Sequence, residues 1–191
     1  MAIALVEDNS DRLAERLRDG RLDLALIGWA GEAPPDMDTV VLVDEELVAA
    51  VHPGHPLAGA GAGAGAITIR QLRDLPLVSL PRGTGVRAAL DAACAAAGFA
   101  PWIVFEASAL PMVVELAARG LGLAVVPASI PNGPRILPIT DPPIRSRLEL
   151  AWLPAPSANP AARALIEQAR ALGSLGRPVP AAPGPRDRGP D

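Results

Sequence analysis

Between Leu75 and Val126, short apolar runs alternate with stretches whose apolar residues recur at helical spacing. That alternation restricts the fold more than any other feature of the chain. Leu75–Leu80, Trp102–Phe105 and Leu121–Val126 have the length and composition of buried strands. Between the first two, Val86, Leu90, Cys94 and Ala97 mark one side of a helix that Gly98 ends. Ser108–Arg119 reads as a second helix; Pro111 is tolerated because it falls in the first turn, and Gly120 closes it. Pro127 ends the last strand. A β-α-β-α-β run of this kind implies a parallel sheet with helices against its faces.

The N-terminal part reads in the same way. Ile3–Val6 is expected as a strand, Asn9 or Ser10 as the cap of a helix carrying Leu13, Ala14 and Leu17, and Gly20 as its stop. Leu22–Ile27, ending at Gly28, is the next strand, which makes a βαβ-type unit. Val40–Val43 and Leu47–Val51 read as two further short strands, and Gly59–Ala66 as a flexible loop insert. Thr68 and Gln71 have capping-box spacing before a short helix reaching Arg73. Arg135–Ile139 and Arg147–Leu153 read as extended. Asn159-Pro160 signals a helix start, with Leu165, Ile166, Ala169 and Leu172 as the apolar stripe. Gly173–Asp191, rich in Pro, Gly and Arg, is expected as a disordered tail.

Composition excludes several function classes. Half of the 191 residues are hydrophobic but only 3% are aromatic, so Leu, Val, Ile and Ala must fill the core. All 17 basic residues are Arg, a bias that looks like a GC-rich genome. The net charge is −4 and no basic cluster stands out, so the chain by itself is not expected to bind or retard DNA. The single Cys94 rules out an internal disulfide framework and reads as a buried, inert thiol. No run approaches the roughly 18 apolar residues of a membrane helix. Met1–Ser10 lacks the features of a signal peptide, so the cytoplasm is the expected location. His52 and His55 have no further ligands at metal-site spacing, and no nucleophile–base–orienter set appears. No metal, cofactor or enzymatic activity is therefore expected.

Four pieces in order resemble the regulatory domain of LysR-type transcriptional regulators. The first is Glu7-Asp8-Asn9-Ser10 with Leu13 and Leu17, running into Asp19-Gly20-Arg21-Leu22-Asp23-Leu24-Ala25-Leu26. The second is His55-Pro56-Leu57-Ala58, followed by Ile67-Thr68 and Leu72. The third is Gly98-Phe99-Ala100-Pro101 with Phe105-Glu106. The fourth is Ala117-Ala118-Arg119-Gly120-Leu121-Gly122-Leu123-Ala124-Val125-Val126-Pro127. The resemblance implies a two-lobed α/β fold like type 2 periplasmic binding proteins. Lobe I would hold about residues 1–73 and 136–172, lobe II about 74–131, with crossovers near Leu75 and Asn132. It also implies that a helix-turn-helix, a linker helix and the first strand and helix of lobe I are missing. The expected partners are a small-molecule effector, such as a carboxylate, in the cleft, and a second copy or a full-length relative.

In open α/β sheets, ligands sit beyond the C-terminal ends of strands, where helix N-termini present free N–H groups. This places candidate effector-binding residues at Asn9 and Ser10, at Gly28 and Trp29, at Arg82, Gly83 and Thr84, and at Ala107 and Ser108. The resemblance adds Pro127. Ser10 and Ser108 also fit as plain helix caps. Arg82 fits either a carboxylate partner or a solvated turn residue. Trp29 is a candidate for stacking on an effector or closing a lobe. Gly83-Thr84-Gly85 hints at a phosphate loop, but no Lys follows. Effector sensing in a transcriptional regulator is the leading reading. A solute-binding protein of the same fold with a lost signal peptide, a non-functional gene fragment, and an enzyme on this fold are the alternatives. A helix-turn-helix encoded upstream would select the first.

Overall fold

The computed structural model describes residues 4–29, 31–59, 65–129, 133–154 and 159–174. The first helix, α1 (Ser10–Arg18), begins where the Asn9 side chain accepts a hydrogen bond from the Arg12 N–H at 3.0 Å. It buries Leu13, Ala14 and Leu17 against β1 (Ala25–Trp29). Next come β2 (Asp38–Val51) and a two-residue β3 (Ile67–Thr68), which leads into a 3-10 turn at Ile69–Leu72. The expected β-α-β-α-β run follows as β4 (Leu77–Ser79), α2 (Gly85–Ala96), β5 (Ile103–Glu106), α3 (Leu110–Ala118) and β6 (Leu123–Pro127). The chain continues through β7 (Arg135–Asp141), β8 (Arg145–Trp152) and α4 (Pro160–Ser174). Asn159 opens α4 by accepting the Ala161 N–H at 3.0 Å.

The strands run β1-β8-β2-β6-β4-β5, with β7 beside β2 and β3 beside β7. β4 lies between β5 and β6 and is parallel to both, as the alternating pattern requires. The strand β2 divides the molecule. From Asp38 to Glu46 it pairs antiparallel with β8, whose other neighbour is β1. From Leu47 onward it pairs antiparallel with β6 and β7 instead. One strand thus serves two sheets, and the core divides with it. Leu13, Leu17, Ile27 and Ala151 pack with α1, and Leu150, Trp152, Ile166 and Ala169 pack with α4, on the first sheet. Leu47, Ala49, Val51, Ile69, Leu77, Leu90, Leu123 and Leu137 form the largest cluster, on the second.

Several expectations need correction. Val40–Val43 and Leu47–Val51 are not two strands but parts of one, because the acidic stretch between them stays extended, with a register shift between Val41 and Val43. Residues 4–6 of the expected strand Ile3–Val6 are not in a strand; Leu5 is 95% exposed, and Ile3 lies outside the described residues. The N-terminal unit is therefore not βαβ. β1 pairs only with β8, antiparallel, and has no second strand neighbour among the described residues. The helix expected from Ser108 starts at Leu110. In α4, Ile166 and Ala169 are buried while Leu165 and Leu172 are about half exposed, and Ala162 completes the buried stripe. Gly173 and Ser174 belong to α4 rather than to a tail, and 175–191 lie outside the described residues, as do 60–64 of the Gly/Ala stretch.

Candidate effector cleft

Two helix N-termini meet at the junction of the two sheets. The Ser10 N–H at the start of α1 donates to the Gly83 carbonyl in the turn before α2, at 2.8 Å. The Ser10 hydroxyl accepts the Gly28 N–H of β1 at 3.2 Å. A Cβ built on Gly85, the first residue of α2, would stand 2.7 Å from Gly28 Cα. Real side chains do not tolerate that distance, so a glycine at 85 is what lets the end of α2 rest on β1. Gly83 has φ +87°, a left-handed conformation that favours glycine, and the turn it makes brings Asn9 alongside.

The start of α2 has no side-chain cap. Thr84 stands at the capping position, but its hydroxyl donates to the Pro81 carbonyl at 2.9 Å rather than accepting from the helix. The first N–H groups of a helix need acceptors and carry the positive end of its dipole. Here they border a cavity of about 300 Å³. Ser10, Gly28, Thr84, Gly85 and Pro127 line it. Its wall also includes Leu26 and Leu148, which are 51% and 38% exposed. Apolar surface left open to water in a cleft is surface that a bound molecule can cover.

Charged groups stand at the same cavity. Arg147 of β8 shares Asp44 with Arg145, at 3.2 and 2.7 Å. The hydrogen bond from Arg145 chiefly holds the Asp44 carboxyl below its usual range, against a smaller opposing effect of burial. Asp8 pairs with Arg16 at 2.9 Å. Glu45 accepts the backbone N–H of Ser129 at 3.0 Å. Behind the cavity, the side chain of Arg87 is 5% exposed and bonds Glu106 at 2.6 Å, Asp91 at 2.9 Å and the Leu80 carbonyl at 3.2 Å. Burial opposes its charge, but the hydrogen bonds it donates to Glu106 and Asp91, with the charges of those carboxylates, outweigh that and raise its pKa. This network fixes the first turn of α2 to the ends of β4 and β5.

Of the residues expected at the site, Ser10, Gly28, Thr84 and Pro127 line the cavity, and Asn9 and Gly83 shape its edge. The others do not reach it. Trp29 turns toward α1 and packs with the cluster around Leu13, Leu17 and Ile27, its Nε1 buried without a hydrogen-bond partner. Alternation along β1 explains this, since Trp29 shares a face with Ala25 and Ile27. The side chain of Arg82 is 83% exposed and lies 3.9 Å from Asp91, which is the solvated-turn reading. Ala107 donates its N–H to the Ser79 carbonyl and packs in the core. Ser108 is exposed and does not cap α3, whose capping position is Ala109. Ser10 is not a cap either, because Asn9 takes that role.

Glu45, Arg147 and Leu148 were not anticipated. They come from strands distant in sequence, and only the β2–β8 pairing brings them to the ends of α1 and α2. A larger cavity, about 630 Å³, lies among Pro53, Leu57, Gly65, Pro134 and Arg135 and shares no lining residue with these helix ends. His52 and His55 each accept a local backbone N–H, from Gly54 and Leu57. Among the described residues, no group of three potential metal ligands occurs, and no helix is long and apolar enough to cross a membrane.

The family profile described as the LysR substrate binding domain matches residues 1–174. A probable hydrogen peroxide-inducible genes activator of Mycobacterium avium is 34% identical over 157 residues, covering 82% of this chain and 46% of that protein. The chain spans about half the length of the curated relatives it matches. The C-terminal domain of a probable LysR family regulator from Rhodococcus sp. RHA1 superposes with a TM-score of 0.69 at 28% identity, covering 86% of this chain and 82% of that one. The effector binding domain of QuiR, solved in complex with shikimate, has a TM-score of 0.74 at 23% identity, covering 88% and 79%, a likeness of fold. The profile spans nearly all of the chain, and the neighbours have the same two-lobed α/β architecture. The chain therefore belongs to the LysR substrate binding domain family.

Proposed function

We propose that this chain is the effector-sensing part of a transcriptional regulator and that its ligand is a small molecule bearing an anionic group, such as a carboxylate. One observation carries the reading: the uncapped N-terminus of α2 borders the cavity between the two sheets, which Ser10 also lines. N–H groups without a side-chain acceptor, next to a hydroxyl, suit an anion. The shikimate complex of QuiR, a domain of the same fold, supports a small carboxylate. The family's curated members, named as transcriptional regulators, support binding rather than turnover.

The lobes then divide at the hand-over in β2, between Glu46 and Leu47, and again between β7 and β8. This division, in place of crossovers near Leu75 and Asn132, is supported by the core that Leu47–Val51, Ile67–Leu72 and Leu137–Ile139 share with β4 and β6. A ligand seated between the sheets changes the balance between two relations of the lobes only if it binds them with different affinity. The test is a thermal-shift and calorimetric screen of small mono- and dicarboxylates on the purified chain. At least one is expected to raise the melting temperature, with Ser10→Ala weakening its binding about 10- to 150-fold, the loss of one hydrogen bond to a charged group. Binding that Ser10→Ala leaves unchanged would move the ligand elsewhere.

A further inference from the structure

The N–H groups at the start of α2 hold an anion only if they point into the cavity, and their direction is set by the tilt of the first helical turn. No side-chain cap fixes that turn, because the Thr84 hydroxyl donates to the Pro81 carbonyl instead. On the β1 side, Gly85 rests on Gly28, and the Gly83 carbonyl accepts the Ser10 N–H at 2.8 Å. These contacts limit how near the helix comes, and neither acts on it beyond Gly85. The side chain of Arg87, the third residue of α2, does. Its Nη1 donates to the Leu80 carbonyl at 3.2 Å, just past the end of β4, and to Glu106, the last residue of β5, at 2.6 Å. Among the described residues, no other side chain of this first turn bonds to the ends of β4 or β5.

The two carboxylates on Arg87 act differently. Asp91, at 2.9 Å, lies one turn along the same helix, so that bond moves with α2. The Glu106 bond crosses to another element and holds the helix against the sheet. The guanidinium presents its hydrogens in a fixed fork, and with its side chain 5% exposed it has little room to reorient. We infer that Arg87 and Glu106 are positioning residues for the effector: through their ion pair β5 sets the angle at which the start of α2 meets the cavity, although neither side chain lines it. This rests on the anion-binding reading of the cleft and names the groups that aim it. Charge alone predicts the opposite sign for Glu106. Removing a nearby negative charge favours an anion, whereas losing the tie weakens its binding.

The experiment is isothermal titration of the purified chain with a panel of small mono- and dicarboxylates, in the wild type and in Glu106→Ala, Glu106→Gln and Asp91→Ala. Circular dichroism melts verify that each variant is folded at the titration temperature. A carboxylate that binds the wild type is expected to bind Glu106→Ala about tenfold or more weakly. Glu106→Gln, whose amide oxygen still accepts from Arg87, is expected to stay within about threefold of the wild type. Asp91→Ala is expected to stay within about threefold as well, while melting at a lower temperature. If Glu106→Ala does not fold, Glu106→Asp, which keeps the charge and shortens the reach, is read by the same criterion. If Glu106→Ala melts lower but binds as well as the wild type or more tightly, the pair is structural, the positioning role is overturned and the anion site stands. A loss in Glu106→Gln or Asp91→Ala as large as that in Glu106→Ala overturns it too. If no carboxylate binds the wild type, both readings fall.

Discussion

The contact between Gly28 and Gly85 shows how much of this site depends on single atoms. Both residues lack a Cβ, and one built on either would come within 3.0 Å of the other's backbone. No flexible side chain is there to move aside, so Gly85→Ala must push the end of α2 off β1. Overpacking of this kind costs about 1–3 kcal/mol. Gly85→Ala is expected to lower the unfolding free energy by that amount, read as a lower urea midpoint at unchanged slope, and to weaken ligand binding. An alanine at Gly20, which has open space around it but φ +67°, would cost stability by strain without touching the cleft. Equal ligand affinity in the wild type and in Gly85→Ala would show that the approach of α2 to β1 does not shape the site. Trp29 teaches the opposite lesson. A large aromatic at a strand end looks like a ligand platform, yet the two-residue period of β1 sends it into the α1 core with an unmet indole N–H.

At the level of elements, β2 was the least legible piece. Asp44-Glu45-Glu46 interrupts the apolar pattern and reads as a break, but each of these acids has a partner that only the assembled sheets provide. Arg145 and Arg147 hold Asp44, Ser129 holds Glu45, and Arg145 approaches Glu46 at 3.6 Å. Local punctuation was more reliable. His55 stands before the turn Pro56–Ala58, and its Nδ1 accepts the Leu57 N–H at 3.2 Å. Burial, and then the neighbouring His52, lower the His55 pKa from its usual value. The unfolded chain therefore takes up the proton more readily than the folded one. The stability this group contributes is present above about pH 6.5 and is lost as the pH falls through its folded pKa. Protonation also removes the acceptor that caps the turn. The melting temperature of the wild type is expected to fall between about pH 7 and pH 5. His55→Asn keeps an acceptor but cannot titrate, and should show a flatter dependence over that interval. Identical slopes would exclude His55 as the source.

For the molecule as a whole, the relatedness to a peroxide-inducible activator raises the question of thiol sensing. Cys94 is the only cysteine of the chain, lies fully buried in the large core cluster, and has its pKa pushed up to about 11, by burial and then by the charge of Asp91. A thiolate is the reactive form, so this site is poorly suited to oxidation. Native protein treated with a chromogenic disulfide reagent is expected to release less than about a tenth of one equivalent within minutes, and a full equivalent only after unfolding. Rapid reaction of the folded chain would restore a redox role. The cleft is a feature of the whole molecule. It exists only because two sheets, each with its own core, share one long strand.

The sequence by itself determined most of the local structure. The Asn9 and Asn159 caps, the turn at Gly83, the alternation from β4 to β6 and the burial of Cys94 all follow from propensities and periods that act over a few residues. It also pointed to Ser10, Gly28 and Thr84 among the lining residues, because the rule that ligands gather at strand C-termini is local too, while Pro127 came from the family resemblance. Tertiary structure alone decided that Trp29, Arg82, Ala107 and Ser108 do not line the cavity, that β2 passes from one sheet to the other, and that Glu45 and Leu148 line the same cavity as Thr84 and Gly85. Those outcomes depend on strand register between segments about a hundred residues apart. Register is set by the summed burial of both partners and by the ion pairs that assembly creates, and neither partner's own sequence carries that sum.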